Sequence, residues 1–146
     1  MNEKPASFDL SSWICVLEEI LQRRIKSCAT RRELQEAFQE AADATPAAVL
    51  LYQGENWIAA NRAAQLMTGY SSDELFSMNI LDIVHPDFRA MMQERIQKRL
   101  HEDETIDCGE MKIIVKDGTQ KWLGEADMLT RVEGRPAGLL VAADIS

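Results

Sequence analysis

A chain of 146 residues, 46% apolar and 27% charged, has the size and composition of one ordinary globular domain. Its net charge of −8 excludes a dedicated nucleic-acid binder, which needs a basic surface to meet phosphates. Three widely spaced cysteines (Cys15, Cys28 and Cys108) without a C-x-x-C pair exclude a disulfide framework and a zinc site, and read as reduced thiols in the cytosol.

Met1 is followed by charges rather than an apolar h-region, so no signal peptide is read, and runs such as "AAVLLY" are far too short to span a bilayer. Residues 9–28 place Leu10, Ile14, Leu17 and Leu21 at helical spacing, widened by Trp13, Val16, Ile20 and Ile25. The stripe is near-heptad, with Arg24 where an apolar residue would continue it. Two uses fit: a seam with a second copy, or a helix folded back on its own sheet. The width favours a helix pair meeting its symmetry mate, so a homodimer is expected through residues 9–43, with Leu10, Trp13, Ile14, Leu17, Ile20 and Leu21 as contacts. "RRIKSCATRR" holds five of the sixteen Lys and Arg and reads as a solvated helix face and connection. "TRRE" opens a second helix with Thr30 and Glu33 as a capping box, ending before Pro46.

"AAVLLYQGENWIAAN" predicts two short strands about Gly54. Asn61 then caps one or two helical turns that Gly69 stops, and Ser71 with Glu74 caps another short helix. Pro86 is placed as the first residue of a longer helix over about 86–101. Around "KDGT" two alternating runs predict a hairpin in which Asp117-Gly118 supplies positive φ, and "RVEGRP" is a turn before the last strand. The fold class is therefore α+β, with one antiparallel sheet and helices on a face. Both hairpin runs carry apolar residues on both faces, so both sides of the sheet need cover.

Residues 45–146 resemble a PAS domain with its C-terminal PAC segment. The resemblance is carried by Asn61 in "NRAAQLMTGYSSDEL", the His-Pro of "IVHPDFR", "KDGTQKW" on the hairpin and the terminal "DIS". It implies a five-stranded antiparallel sheet with helices cupped over one face and a small-molecule pocket between them. Residues 1–44 become an N-terminal helical segment that covers the outer face or dimerises. Alternation groups Trp122, Gly124, Ala126 and Met128. The family tendency puts the tryptophan on the outer face, which sends Glu125 and Asp127 toward the pocket, at a cost unless they are paired or bind something polar. A bulge near Gly124 offers a way out.

The candidate pocket lining is Leu66, Met67, Ile80, Ile83, Phe88, Met92, Ile96, Met111 and Ile113, which equally well simply fills a core. A ligand there would be small and mostly apolar, with Arg62, Arg89 or Arg95 as anchors for a carboxylate. Haem is not expected, because the long helix offers only His101 at its distal end, and His85 reads as a structural cap. Covalent flavin is not expected either, because "SMNILDIVHP" contains no cysteine. The three cysteines read as small buried or partly buried hydrophobes. The cofactor is left unassigned.

No catalytic set or Gly-rich phosphate loop is present, and Glu18-Glu19 and Asp73-Glu74 read as solvated, so no enzyme activity is assigned. The resemblance implies a cytoplasmic bacterial module of two-component or related signalling. Such a module passes a ligand or conformational signal to an effector such as a histidine kinase or diguanylate cyclase, in the same polypeptide or operon. Asp144 lies where such domains hand over to the next module, so the chain reads as a piece of a longer protein or a very short stand-alone one, and the expectation is the piece. The alternative is a ligand-free dimerisation or interaction module of the same fold.

Overall fold

The computed structural model describes residues 10–146. Asp9, which with Ser11 and Ser12 offers a cap for the first helix in the sequence, lies outside them. Helices α1 (Leu10–Ile25) and α2 (Arg31–Ala42) precede strands β1 (Ala48–Gln53) and β2 (Asn56–Ala60). Next come α3 (Arg62–Thr68), α4 (Ser72–Phe76), 3-10 turns at Ile80–Asp82 and Pro86–Phe88, and α5 (Arg89–Leu100). The chain closes with β3 (Asp107–Ile114), β4 (Gln120–Val132) and β5 (Arg135–Asp144). All five strands form one antiparallel sheet in the order β2-β1-β5-β4-β3.

Local chemistry sets these boundaries. Thr30 and Ser71 form reciprocal capping boxes with Glu33 and Glu74. Gly69 ends α3 in the left-handed conformation at φ 79°. Asn61 does more than cap. Its Oδ1 accepts from the amides of Ala64 and Val49, and its Nδ2 donates to the carbonyls of Ala42 and Ala47. One buried side chain thus joins the end of α2, the start of β1 and the start of α3.

Three details differ from expectation. Pro86 opens a 3-10 turn, and the α-helix begins only at Arg89, because Phe88 sits at φ −113° and ψ 1°. In the β3–β4 connection only Gly118 is left-handed. The turn with two consecutive positive φ values lies instead in the next hairpin, at Glu133 and Gly134. There is no bulge near Gly124, since β4 keeps continuous register with both neighbours.

The sheet is covered on both faces, by two separate apolar clusters. Leu50, Tyr52, Trp57, Met111, Ile113, Leu123 and Leu140 face α3–α5, together with Leu75, Ile80, Met92 and Ile96. Val49, Leu51, Ile58, Ala126, Leu139 and Val141 face α1 and α2. The N-terminal helices therefore use their stripe on their own sheet. Ile14, Leu17 and Leu21 are buried in that cluster, with Leu10 and Trp13 packed against it. These five expected dimer contacts are intramolecular instead, because a helix docked on a sheet needs the same spacing as a helix seam. Of the six, only Ile20 is free, 47% exposed, beside Val16 at 54%.

Candidate functional site

The space between α3–α5 and the sheet has an apolar half and an ionic half. In the apolar half Met67, Ile80, Ile83, Met92, Met111 and Ile113 of the candidate lining surround a common void, beside Leu50, Trp57, Leu123 and Leu140. Ile96 lies in the same core away from that void, and Phe88 sits at its edge, 5.5 Å edge-to-face from Trp122. Leu66 does not belong to it. At 69% exposure it lies on the outer side of α3, which turns Ala64 and Thr68 inward.

The void measures about 20 Å³. That is room for about one water, whereas ligand pockets run from about 300 Å³ upward. The apolar side chains fill the chamber. The one buried polar atom on its wall without a partner among the described residues is the indole Nε1 of Trp57. A larger hollow of about 570 Å³ lies outside, open to solvent between Trp13, Pro46, Ala63 and Ala143.

The ionic half answers the question raised by the alternation of β4. With no bulge, Glu125 and Asp127 do point toward the helices, and both are buried. Helix α5 meets them with Arg95 and Arg99, one turn apart on its inner face. Arg95 grips both carboxylate oxygens of Glu125, with Nη2 to Oε2 at 2.9 Å and a second, shorter bond from Nη1 to Oε1. Arg95 was a candidate anchor for a ligand carboxylate. It holds the chain's own carboxylate instead. The other two candidates are exposed: Arg62 on the first turn of α3, and Arg89, whose Nε donates to the Val84 carbonyl at 3.0 Å.

Arg99 is the more heavily committed guanidinium. Its Nε donates to Asp127 Oδ1 at 3.1 Å, and its Nη2 to Asp107 Oδ2 at 2.7 Å and to the Asp127 carbonyl at 3.2 Å. Its Nη1 donates to the carbonyls of Asp103 and Thr105, both at 3.0 Å. All five N–H directions are used, so a charged side chain that is only 2% exposed is fully satisfied. Lys98 adds a 3.0 Å pair with Asp107. From β1, the Tyr52 hydroxyl reaches across β5 to both Asp127 oxygens, at 2.9 and 2.8 Å. The passage exists because Tyr52 lies opposite Gly138, where any Cβ would collide with the ring.

Burial sets the electrostatics. It pushes the Asp127 carboxyl up to about 6, against the smaller pull of Arg99, Tyr52 and Arg95. It also raises the Tyr52 hydroxyl well above the phenol value, helped by the adjacent carboxylate. Burial works against the charges of Arg95 and Arg99 too, but the facing carboxylates more than offset it and hold both above the ordinary arginine value.

On the outer face β4 is held a second time. Gln22 donates to Thr130 Oγ1 at 2.6 Å and to the Arg131 carbonyl at 2.9 Å, and Thr130 Oγ1 donates to Glu18 at 2.8 Å. Strand β4 therefore carries the α5 ion pairs on one face and the α1 hydrogen bonds on the other.

The remaining chemistry-bearing residues lie apart from this site. The His85 ring accepts from the Asp87 amide at 3.1 Å, as a cap, and His101 stands exposed beyond α5. Cys15 and Cys108 are exposed rather than buried, so the packing role read for them holds only for Cys28, which is half-buried. Among the described residues, no three His, Cys, Asp or Glu side chains converge as a metal set, and no helix is long and apolar enough to cross a membrane.

Residues 58–140 match the family model of the PAS fold. No curated protein matches the sequence. Among solved structures, a PAS domain from Colwellia psychrerythraea is similar at TM-score 0.62 and 17% identity, over 73% of this chain and 92% of that one. The PAS domain of an HTR-like protein from Haloarcula marismortui reaches TM-score 0.64 at 14% identity, over 78% and 99%. A PAS domain from a two-component sensor histidine kinase follows at 0.61 and 19%, over 77% and 98%.

Proposed function

The chain belongs to the PAS family, and on that premise we propose that it is a regulatory module that relays a conformational signal across its sheet to a downstream effector. The observation that carries this reading is the double hold on β4, by α5 through Arg95 and Arg99 and by α1 through Gln22 and Thr130. A shift of α5 on the inner face moves the strand that α1 grips from outside. Two packings of α5 on the sheet then mean two placements of α1, and an effector that prefers one of them is regulated.

The chamber supports conformation over a resident ligand, because its own side chains and the Arg95–Glu125 pair occupy the space a ligand would take. The effector is of the sensor-kinase kind, by analogy with the two-component histidine kinase whose PAS domain shares this fold. Association with a second copy is proposed through Val16 and Ile20, the apolar residues that α1 leaves exposed.

Hydrogen exchange of the Arg95→Met variant tests the relay. Amides of α1 near Gln22 should exchange faster relative to wild type than those of α2, whose main strand contact is with β2. An equal response in both helices, or none in α1, contradicts it.

A further inference from the structure

Asp127 and Asp107 lie opposite each other across the β3–β4 register and accept from the same guanidinium, that of Arg99. Glu125, two residues back on the same face of β4, has Arg95 to itself. The charged groups facing Asp127 are Arg95, Lys98 and Arg99 from α5, Asp107 from β3 and Glu125 from its own strand. Tyr52 faces it from β1, and the β5 residue opposite it is apolar Leu140. The carboxylate of Asp103, just beyond α5, is turned to the Thr105 amide.

Three positive and three negative charges balance here, but the three carboxylates are not equivalent. Asp127 is both sealed from solvent and obliged to share its cation, so of the three it loses least by becoming neutral. The Tyr52 hydroxyl, placed on both of its oxygens, can donate to the carboxylate or turn to accept from the carboxyl. Either protonation state therefore keeps a hydrogen bond.

We propose that Asp127 is a proton-binding site that couples pH to the docking of the C-terminal half of α5 on the sheet. The proposal rests on the relay reading and names an input to it. With Arg95–Leu100 docked, water is excluded and the carboxyl keeps its proton to about 6. With that half of α5 lifted, water solvates the carboxylate, which then gives up its proton in the ordinary range near about 4. The docked state thus binds the proton more tightly than the lifted state. Docking is strongest below the lifted-state value and weakens as pH rises through the docked-state value.

Hydrogen exchange of the Arg95–Leu100 amides, corrected for intrinsic rate, tests this. The opening constant should rise about tenfold from about pH 5 to about pH 8, and Asp127→Asn should flatten the profile. Tyr52→Phe, which keeps the carboxylate and Arg99, should move the midpoint to higher pH, and it serves should Asp127→Asn not fold. A profile flat in the wild type, unchanged in Asp127→Asn, or unmoved in Tyr52→Phe overturns the proposal. A flat profile with α1 still responding to Arg95→Met removes the proton site and leaves the relay. A pH-dependent profile with α1 unresponsive does the reverse.

Discussion

Gly138 is the position where one added methyl group should do most damage. A Cβ there would stand 2.5 Å from the Tyr52 hydroxyl oxygen and closer still to ring atoms Cζ and Cε1. Tyr52 is buried, so its ring has no open solvent to swing into. Overpacking a core of this kind costs about 1–3 kcal/mol. Displacing the hydroxyl from Asp127 removes hydrogen bonds to a buried charged group, worth about 1.5–3 kcal/mol. Gly138→Ala should therefore cost about 3–5 kcal/mol, a large part of the about 5–15 kcal/mol that holds a domain together. Urea unfolding reads this as a lower midpoint at unchanged slope. In a Tyr52→Ala background the added methyl meets no ring, so the same substitution should be nearly neutral, with a coupling of about 2 kcal/mol or more. A cost below about 1 kcal/mol, or equal costs in both backgrounds, would show that the Tyr52 ring is not what the methyl group meets.

Other consequences are open to similar checks. Arg95→Met should lose about 3–5 kcal/mol in urea unfolding by leaving Glu125 charged and alone, while Arg95→Met/Glu125→Leu should recover most of it. A double variant no better than the single would show that the pair is not the cause. Asn61→Ala should cost about 3 kcal/mol, because it removes a helix cap and leaves the Val49 amide and the Ala47 carbonyl without their partner, while the Ala42 carbonyl keeps only the Thr45 amide. A loss no larger than a surface cap's would contradict the joint described for it. In sedimentation, self-association at roughly tens of micromolar should be weak and abolished by Ile20→Glu, since two exposed residues are far below a standard interface. A tight dimer insensitive to that change would move the contact elsewhere.

Much of this was legible in the sequence because it is local. Thr30 with Glu33, Ser71 with Glu74, Gly69, and Asn61 as the cap of α3 state their roles within four residues. The helix stripe of Leu10, Ile14, Leu17 and Leu21 was equally plain, but a stripe says only that a face is buried, not against what. Leu66 went astray because two helical turns are too short to phase a pattern, and its neighbour Met67 lines the void. The ion pairs were half legible. Glu125 and Asp127 fall on the inward face of β4, which demands a partner, and Arg95 and Arg99 stand four apart beside Met92 and Ile96. Their pairing spans 28 to 30 residues, and no local rule joins them. Gly138 carried no signal, because its role is to be absent from the path of a side chain on another strand.

The central claim, a PAS chamber closed by the chain's own side chains and working by conformation, meets its most direct test in native mass spectrometry. The freshly purified protein would be weighed first under native and then under denaturing conditions. The expected result is only the chain or simple multiples of it, with no small mass that leaves on denaturation. A stoichiometric extra mass lost on denaturation would contradict it and make the chamber a ligand site.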